Sequence, residues 1–146
     1  MSAHPTIRLA QREDLDALVE LDAIARNDPG RRRFIAQATA CSQCWVAVEA
    51  HAASLLLGYG VLNQAFFDQW FIPLIVVKAS ARRRGVASAI LRTLEAQCTG
   101  RKLFTSTNAS NTPMRTLLSQ HGFIGSGQIE NLDEGDPELI YVKLRS

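Results

Sequence analysis

The chain has 146 residues, 47% of them hydrophobic and 21% charged, which fits one globular domain spanning residues 1–146 and excludes disorder along the whole length. Nine glycines and five prolines exclude collagen-like and Pro-rich linker sequence. Sixteen basic residues against fourteen acidic leave a net charge of +2, too small for an overall field that commits the protein to nucleic acid or to a membrane surface.

Near the N-terminus, Glu13, Asp14 and Asp16 stand where a secretory leader needs an apolar stretch, so none is expected. A strand is predicted at Thr6–Ala10, followed by a helix from Arg12 to Ala25 on the stripe Leu15, Leu18, Leu21 and Ile24/Ala25. Asn27-Asp28-Pro29-Gly30 reads as a turn. Phe34, Ile35, Ala38 and Cys41 mark a second helix. Three strands follow, at Trp45–Val48, Leu55–Leu62 and Trp70–Val77. The last is almost continuously apolar, as in a strand covered on both faces, and Pro73 inside it predicts a bulge or an interrupted ladder. The run from Ala50 to Phe67 is uncharged, but His51, Ser54, Asn63 and Gln64 make it too polar for a spanning helix. Ala87, Ile90, Leu91, Leu94 and Cys98 give the cleanest helical stripe. A strand at Leu103–Thr107 precedes a helix marked by Met114, Leu117, Leu118 and His121, with Thr112 as N-cap, Pro113 behind it and Gly122 past its end. Phe123–Ile129 and Leu139–Leu144 close the chain as strands around an acidic turn. The order β-α-α-β-β-β-α-β-α-β-β predicts an α/β (α+β) protein with helices on both faces of one mixed sheet.

The segment from Leu74 to Leu91 carries the chemistry. A buried strand ends near Val77, a short loop follows, and Arg82-Arg83-Arg84-Gly85-Val86-Ala87 opens the third helix. The first turn of a helix leaves N–H groups without partners, and the macrodipole makes that end positive, so a phosphate binds well there. Gly85 lets an anion approach the main chain, Ala87 is small for the same reason, and the arginines add charge and donors. The spacing matches neither a P-loop nor a dinucleotide fingerprint. A solvated basic turn is the plainer reading of Arg82–Arg84 taken alone.

The pattern Arg82-x-x-Gly85-x-Ala87 after Val-Val-Lys-Ala-Ser-Ala resembles motif A of the GCN5-related N-acetyltransferase (GNAT) family. Asn111, Met114, Leu118 and Gly122-Phe123 resemble its motif B, and the element order is similar over about residues 5 to 145. The resemblance implies the acyl-CoA N-acyltransferase fold, with a mixed, mostly antiparallel central sheet of six to seven strands. It implies acetyl-CoA as co-substrate, its pyrophosphate held by Arg82, Arg83, Arg84 and the amides of Arg83, Arg84, Gly85, Val86, Ala87 and Ser88. The pantetheine arm would pair with main chain at Ile75 and Val77. The Val77 N–H would polarise the thioester carbonyl as the catalytic group. Asn108 and Asn111 would contact the cofactor, and no metal is implied. One position departs: where the family commonly has a tyrosine as general acid, this chain has Leu118, with Ser119 about 100° further round the helix.

That departure motivates an alternative, an acyl-CoA-binding sensor or regulatory module without turnover. A third reading, a nucleic-acid module built on Arg31–Arg33 and Arg82–Arg84, is opposed by the small net charge and the lack of an aromatic-basic run. Tyr59 and Tyr141 lie in strands and read as core or sheet-surface residues. Cys41-Ser-Gln-Cys44 has no second ligand pair for zinc and closes a helix instead of opening one, so it reads as packing cysteines, as does Cys98. The odd cysteine count suits free thiols in a reducing compartment, and a cytoplasmic protein is expected. The resemblance implies that the loop between the first two helices borders the acceptor site, which makes Asn27 and Asp28 candidates there, and Glu130 is a candidate general base. The carboxylates from Glu130 to Glu138 read as a solvated loop or as a lure for a cationic amine. The acceptor would be a small-molecule or peptide amine, its identity unread, and a homodimer stays open.

Overall fold

The first apolar stripe is shorter as a helix than its spacing predicts. In the computed structural model, which describes residues 4–145, α1 spans Leu15–Leu21 behind a 3-10 turn at Arg12–Asp14. It stops because Asp22 Oδ1 accepts the N–H groups of Ile24 (3.0 Å) and Ala25 (3.2 Å), bending the chain away from the helix. α2 spans Pro29–Ala40 and so begins inside the tetrapeptide that reads as a turn. Asp28 is its N-cap, with Oδ1 accepting from Gly30 N at 2.8 Å and Arg31 N at 3.3 Å. α3 is Val86–Gln97 and α4 is Thr112–Gln120. The N-cap of α4 is Asn111, not Thr112: Asn111 Oδ1 accepts from Met114 N at 3.2 Å. Gly122, at φ +84°, ends that helix as expected.

The strands are β1 (Thr6–Leu9), β2 (Cys44–Glu49), β3 (Ala52–Phe66), β4 (Gln69–Val77), β5 (Lys102–Asn108), β6 (Ile124–Ile129) and β7 (Glu138–Leu144). They form one seven-stranded sheet in the order β1-β2-β3-β4-β5-β7-β6. β1–β2, β2–β3, β5–β7 and β6–β7 pair antiparallel, and β4–β5 pair parallel, so the sheet is mixed and mostly antiparallel.

The chain divides into two compact units, Met1–Leu62 with Leu74–Gln97, and Asn63–Pro73 with Cys98–Ser146. In the first, Leu18, Ile35, Val46, Val48, Tyr59 and Val61 form a core, with Leu74 and Val76 packed against it. The opposite face of β3 receives α3 through Gly58 and Gly60. A Cβ on Gly60 would lie 2.6 Å from Ile90 Cγ2 and 3.0 Å from Leu94 Cδ1, so α3 sits where no side chain intervenes. Ile90, Leu91 and Leu94 are fully buried, as their stripe predicts.

In the second unit β4 pairs with β5 over Trp70–Ile72 against Leu103–Thr105. Thr105 Oγ1 donates to Ile72 O at 2.8 Å. The pairing ends one residue ahead of Pro73, which has no N–H to continue it. Phe66 stacks on Phe71 at 4.9 Å and lies against Phe104 at 5.3 Å.

Candidate active site

The site residues of the first unit follow from the end of β4. Lys78 N donates to Leu57 O at 2.9 Å. Main-chain groups alternate edges along a strand, so the N–H groups of Ile75 and Val77 point to the edge opposite β3. Gly58 fixes how closely β3 and β4 approach there. A Cβ on Gly58 would stand 2.6 Å from Val76 O and 3.2 Å from Val77 Cα, both main-chain atoms that no rotamer change can move. Gly58→Ala is therefore expected to lower the melting temperature by several degrees, about 1–3 kcal/mol, and to weaken any function of the Val77 N–H. Thermal denaturation checks the first effect and steady-state kinetics the second.

Beyond Val77 the chain makes a 3-10 turn at Ala79–Ala81 and then an exposed loop, Arg82 to Gly85. Arg83 and Gly85 both adopt left-handed backbone, at φ +64° and +77°. Ala89 N donates to Gly85 O at 3.0 Å, which begins the helical ladder of α3. The N–H groups of residues 83–87 have no hydrogen-bond partner among the described residues. The side chains of Arg82 and Arg83 are likewise unpartnered among those residues, whereas Arg84 Nη2 donates to Glu49 Oε2 at 3.0 Å. A Cβ on Gly85 would meet nothing within 4 Å. Val86 is buried and anchors the start of α3, while Ala87 and Ser88 are half-buried. Five open main-chain donors, two free guanidiniums and an unobstructed glycine fit a diphosphate.

The second unit holds Asn108, Asn111 and Leu118. Asn108 Nδ2 donates to Asp133 Oδ2 (2.8 Å) and Asp136 O (3.3 Å). Asp136 also accepts from Ser110 N (3.0 Å) and Ser110 Oγ (2.6 Å). Two carboxylates of the acidic loop thus tie it to the end of β5 and to Ser110 just beyond, and Glu130 accepts from Gln128 Nε2. Leu118 is buried and Ser119 exposed.

Sequence reasoning missed a buried polar cluster. Asp22, 2% exposed, accepts through Oδ2 from the Tyr59 hydroxyl at 2.5 Å and from Arg31 Nη1 at 2.9 Å. Burial alone would raise the Asp22 carboxyl, but hydrogen bonds from Tyr59 and Ala25 and the Arg31 charge outweigh it and hold the carboxyl below its ordinary range. Burial first, and then the Asp22 carboxylate, push the Tyr59 phenol up. The partners lie 37 and 9 residues from Asp22, beyond any local pattern.

Arg32 Nη1 donates to Ala25 O (2.9 Å) and Arg26 O (3.2 Å), so half of the six arginines in the two basic triplets serve internal contacts. Cys41, Cys44 and Cys98 are free thiols. Burial pushes the Cys44 thiol up to about 12, which leaves it inert near neutral pH. Among the described residues no group of His, Cys, Asp or Glu is placed to hold a metal ion. No helix among them is long and apolar enough to cross a membrane.

The strand, basic loop and helix form a candidate anion site, and comparison with known proteins gives the fold and the family. The model of the Acetyltransferase (GNAT) family matches residues 9–123, and the chain belongs to that family. It is 34% identical to an acetyltransferase of the GNAT family from Bacillus cereus ATCC 10987, with a TM-score of 0.88 over 99% of each chain. An N-acetyltransferase from Staphylococcus aureus Mu50 shares the fold at 23% identity and a TM-score of 0.76, over 97% of this chain and 99% of that one. The ribosomal-protein-S18-alanine N-acetyltransferase from Escherichia coli does so at 18% identity and a TM-score of 0.79, over 97% and 94%. No curated protein matches the chain.

Proposed function

We propose that the chain is an acetyl-CoA-dependent N-acetyltransferase that moves an acetyl group to a primary amine by direct attack in a ternary complex. The observation that carries this reading is the row of unpartnered amides at residues 83–87 beside the unpaired Arg82 and Arg83. These groups would hold the pyrophosphate, together with Arg84 and the first turn of α3 at Val86, Ala87 and Ser88. The main chain at Ile75 and Val77 would pair with the pantetheine arm. When bound, acetyl-CoA supplies an activated acyl thioester. The Val77 N–H would donate to its carbonyl oxygen while the amine–carbon bond forms and the carbon–sulfur bond breaks, the sulfur leaving as thiolate and the amine's surplus proton passing to solvent. In the second unit, Asn108 Oδ1 and Asn111 Nδ2 are the amide atoms that their structural bonds leave unused.

Leu118 stands where the family commonly has a tyrosine, and the Tyr59 hydroxyl is buried and donated to Asp22. A thiol of pKa about 8.5 can depart as thiolate unaided. The same observation favours the second reading, an acyl-CoA sensor without turnover. The acceptor would be a small-molecule or peptide amine, and the cofactor suits a cytoplasmic setting.

Thermal shift with acetyl-CoA and CoA, followed by mass spectrometry of an amine panel, separates the readings. The enzyme is stabilised by both ligands through mass action and gives a product 42 Da heavier, about the mass of an acetyl group less one hydrogen. Stabilisation with no transfer to any amine favours the sensor. No stabilisation by either ligand overturns both.

A further inference from the structure

We infer that Glu49, at the end of β2, is a positioning residue for the diphosphate loop and acts through Arg84. The inference rests on the function proposed above and adds the residue that shapes the loop. Ala81 N donates to Lys78 O at 2.9 Å as the chain enters the loop, and Ala89 N to Gly85 O at 3.0 Å as it leaves. Between these ties, the five N–H groups that face an incoming anion have no partner among the described residues. The side-chain tether from residues 82–87 to another element is Arg84 Nη2, shared between Glu49 Oε2 at 3.0 Å and Oε1 at 3.2 Å.

Arg84 sits between two left-handed residues, Arg83 and Gly85. Arg83 is an L-residue in a conformation that disfavours its side chain, and such a backbone persists where its surroundings over-determine it. Three adjacent arginines also repel one another, which loosens a loop that has few other ties. Glu49 answers both problems from a fixed place, since it ends a strand paired with β3 at Ala52. The Arg84 guanidinium holds the Glu49 carboxyl below the usual carboxylate range, so the pair stays ionised at neutral pH. Arg84 is then the strap of the loop, and the ligand's charge is met chiefly by Arg82, Arg83 and the amides.

The test is calorimetric titration of acetyl-CoA into the wild type, Glu49→Gln, Arg84→Gln and the double variant, with apo melting temperatures alongside. Glu49→Gln is expected to bind about three- to fivefold more weakly, the range of an exposed ion pair. Its apo melting temperature should stay within about 3 °C of the wild type. The double variant should bind like Arg84→Gln alone, because Glu49 acts only through that arginine. In turnover the KM for acetyl-CoA should rise while kcat holds. Wild-type affinity in Glu49→Gln, tighter binding, or multiplied losses in the double variant would overturn the inference alone. So would a large fall in apo melting temperature accompanying the weaker binding, which marks a merely structural role. Failure of the wild type to bind acetyl-CoA overturns both this inference and the function it rests on.

Discussion

Gly85→Glu is expected to abolish acetyl-CoA binding while leaving the protein folded. Two effects combine at this position. Gly85 is at φ +77°, so any L-residue there costs about 1–2 kcal/mol of backbone strain. A Cβ would point into open space with no atom within 4 Å, so the strain is not joined by a clash in the free protein. The carboxylate would instead project beside the amides of residues 83–87, where a diphosphate is proposed to rest. At about 4 Å and an effective dielectric of 20, one like-charge contact opposes binding by about 4 kcal/mol, roughly a thousandfold in affinity. Gly85→Ala separates the terms, since it keeps the strain and omits the charge. Titration of acetyl-CoA into both variants, with melting temperatures as a folding control, reads the difference. Unchanged affinity in Gly85→Glu counts heavily against the placement of the phosphate site.

What the sequence suggests of the proposed site is what local physics encodes. A diphosphate cradle of main-chain N–H groups needs only a strand end, a permissive glycine and a helix start in succession, and all three lie within Leu74 to Leu91. The stripe of α3 and the apolar run of β4 are legible as elements for the same reason, because each is a pattern within a dozen residues, but β4 is not covered on both faces as its run suggests, for Ile72 alone among its residues is buried. Chain-local signals also produced the errors. Asn-Asp-Pro-Gly reads equally as a turn and as an N-cap with proline behind it, and the structure uses it as the second. Asn111 and Thr112 are both competent caps, and the helix takes the first. The stripe through Ala25 is real as burial, for Ala25 is fully buried, yet it does not continue α1, because Asp22 captures the N–H groups that a helix would use. Long-range polar contacts left no trace at all: Glu49 meets Arg84 from 35 residues away, and Asp22 meets Tyr59 from 37.

The Asp22 cluster carries the second large effect, this time on stability. Asp22→Ala strands a guanidinium and a fully buried phenol and frees the N–H groups of Ile24 and Ala25. Breaking a buried charge pair from one side costs about 3–5 kcal/mol, here roughly 10 °C in melting temperature. The pH dependence separates the two titrating members. Asp22 has its folded pKa below the unfolded value, so its contribution is complete above about pH 4 and is lost as pH falls through the folded pKa. Tyr59 has its folded pKa above the unfolded value, so its contribution is complete below about pH 10 and is lost as pH rises through the folded pKa. Stability measured by urea denaturation should therefore fall below about pH 4 and again on the alkaline side, where Cys44, raised to about 12 by burial, begins to lose its contribution above about pH 8.5 and Tyr59 above about pH 10. Asp22→Asn should flatten part of the acid limb, and Tyr59→Phe should flatten the part of the alkaline limb that Cys44 does not supply. Asp14, held below its ordinary range chiefly by its hydrogen bond from Arg8, titrates on the acid side too. An acid limb unchanged by Asp22→Asn but flattened by Asp14→Asn would move the acid sensitivity from the buried cluster to the Arg8 pair.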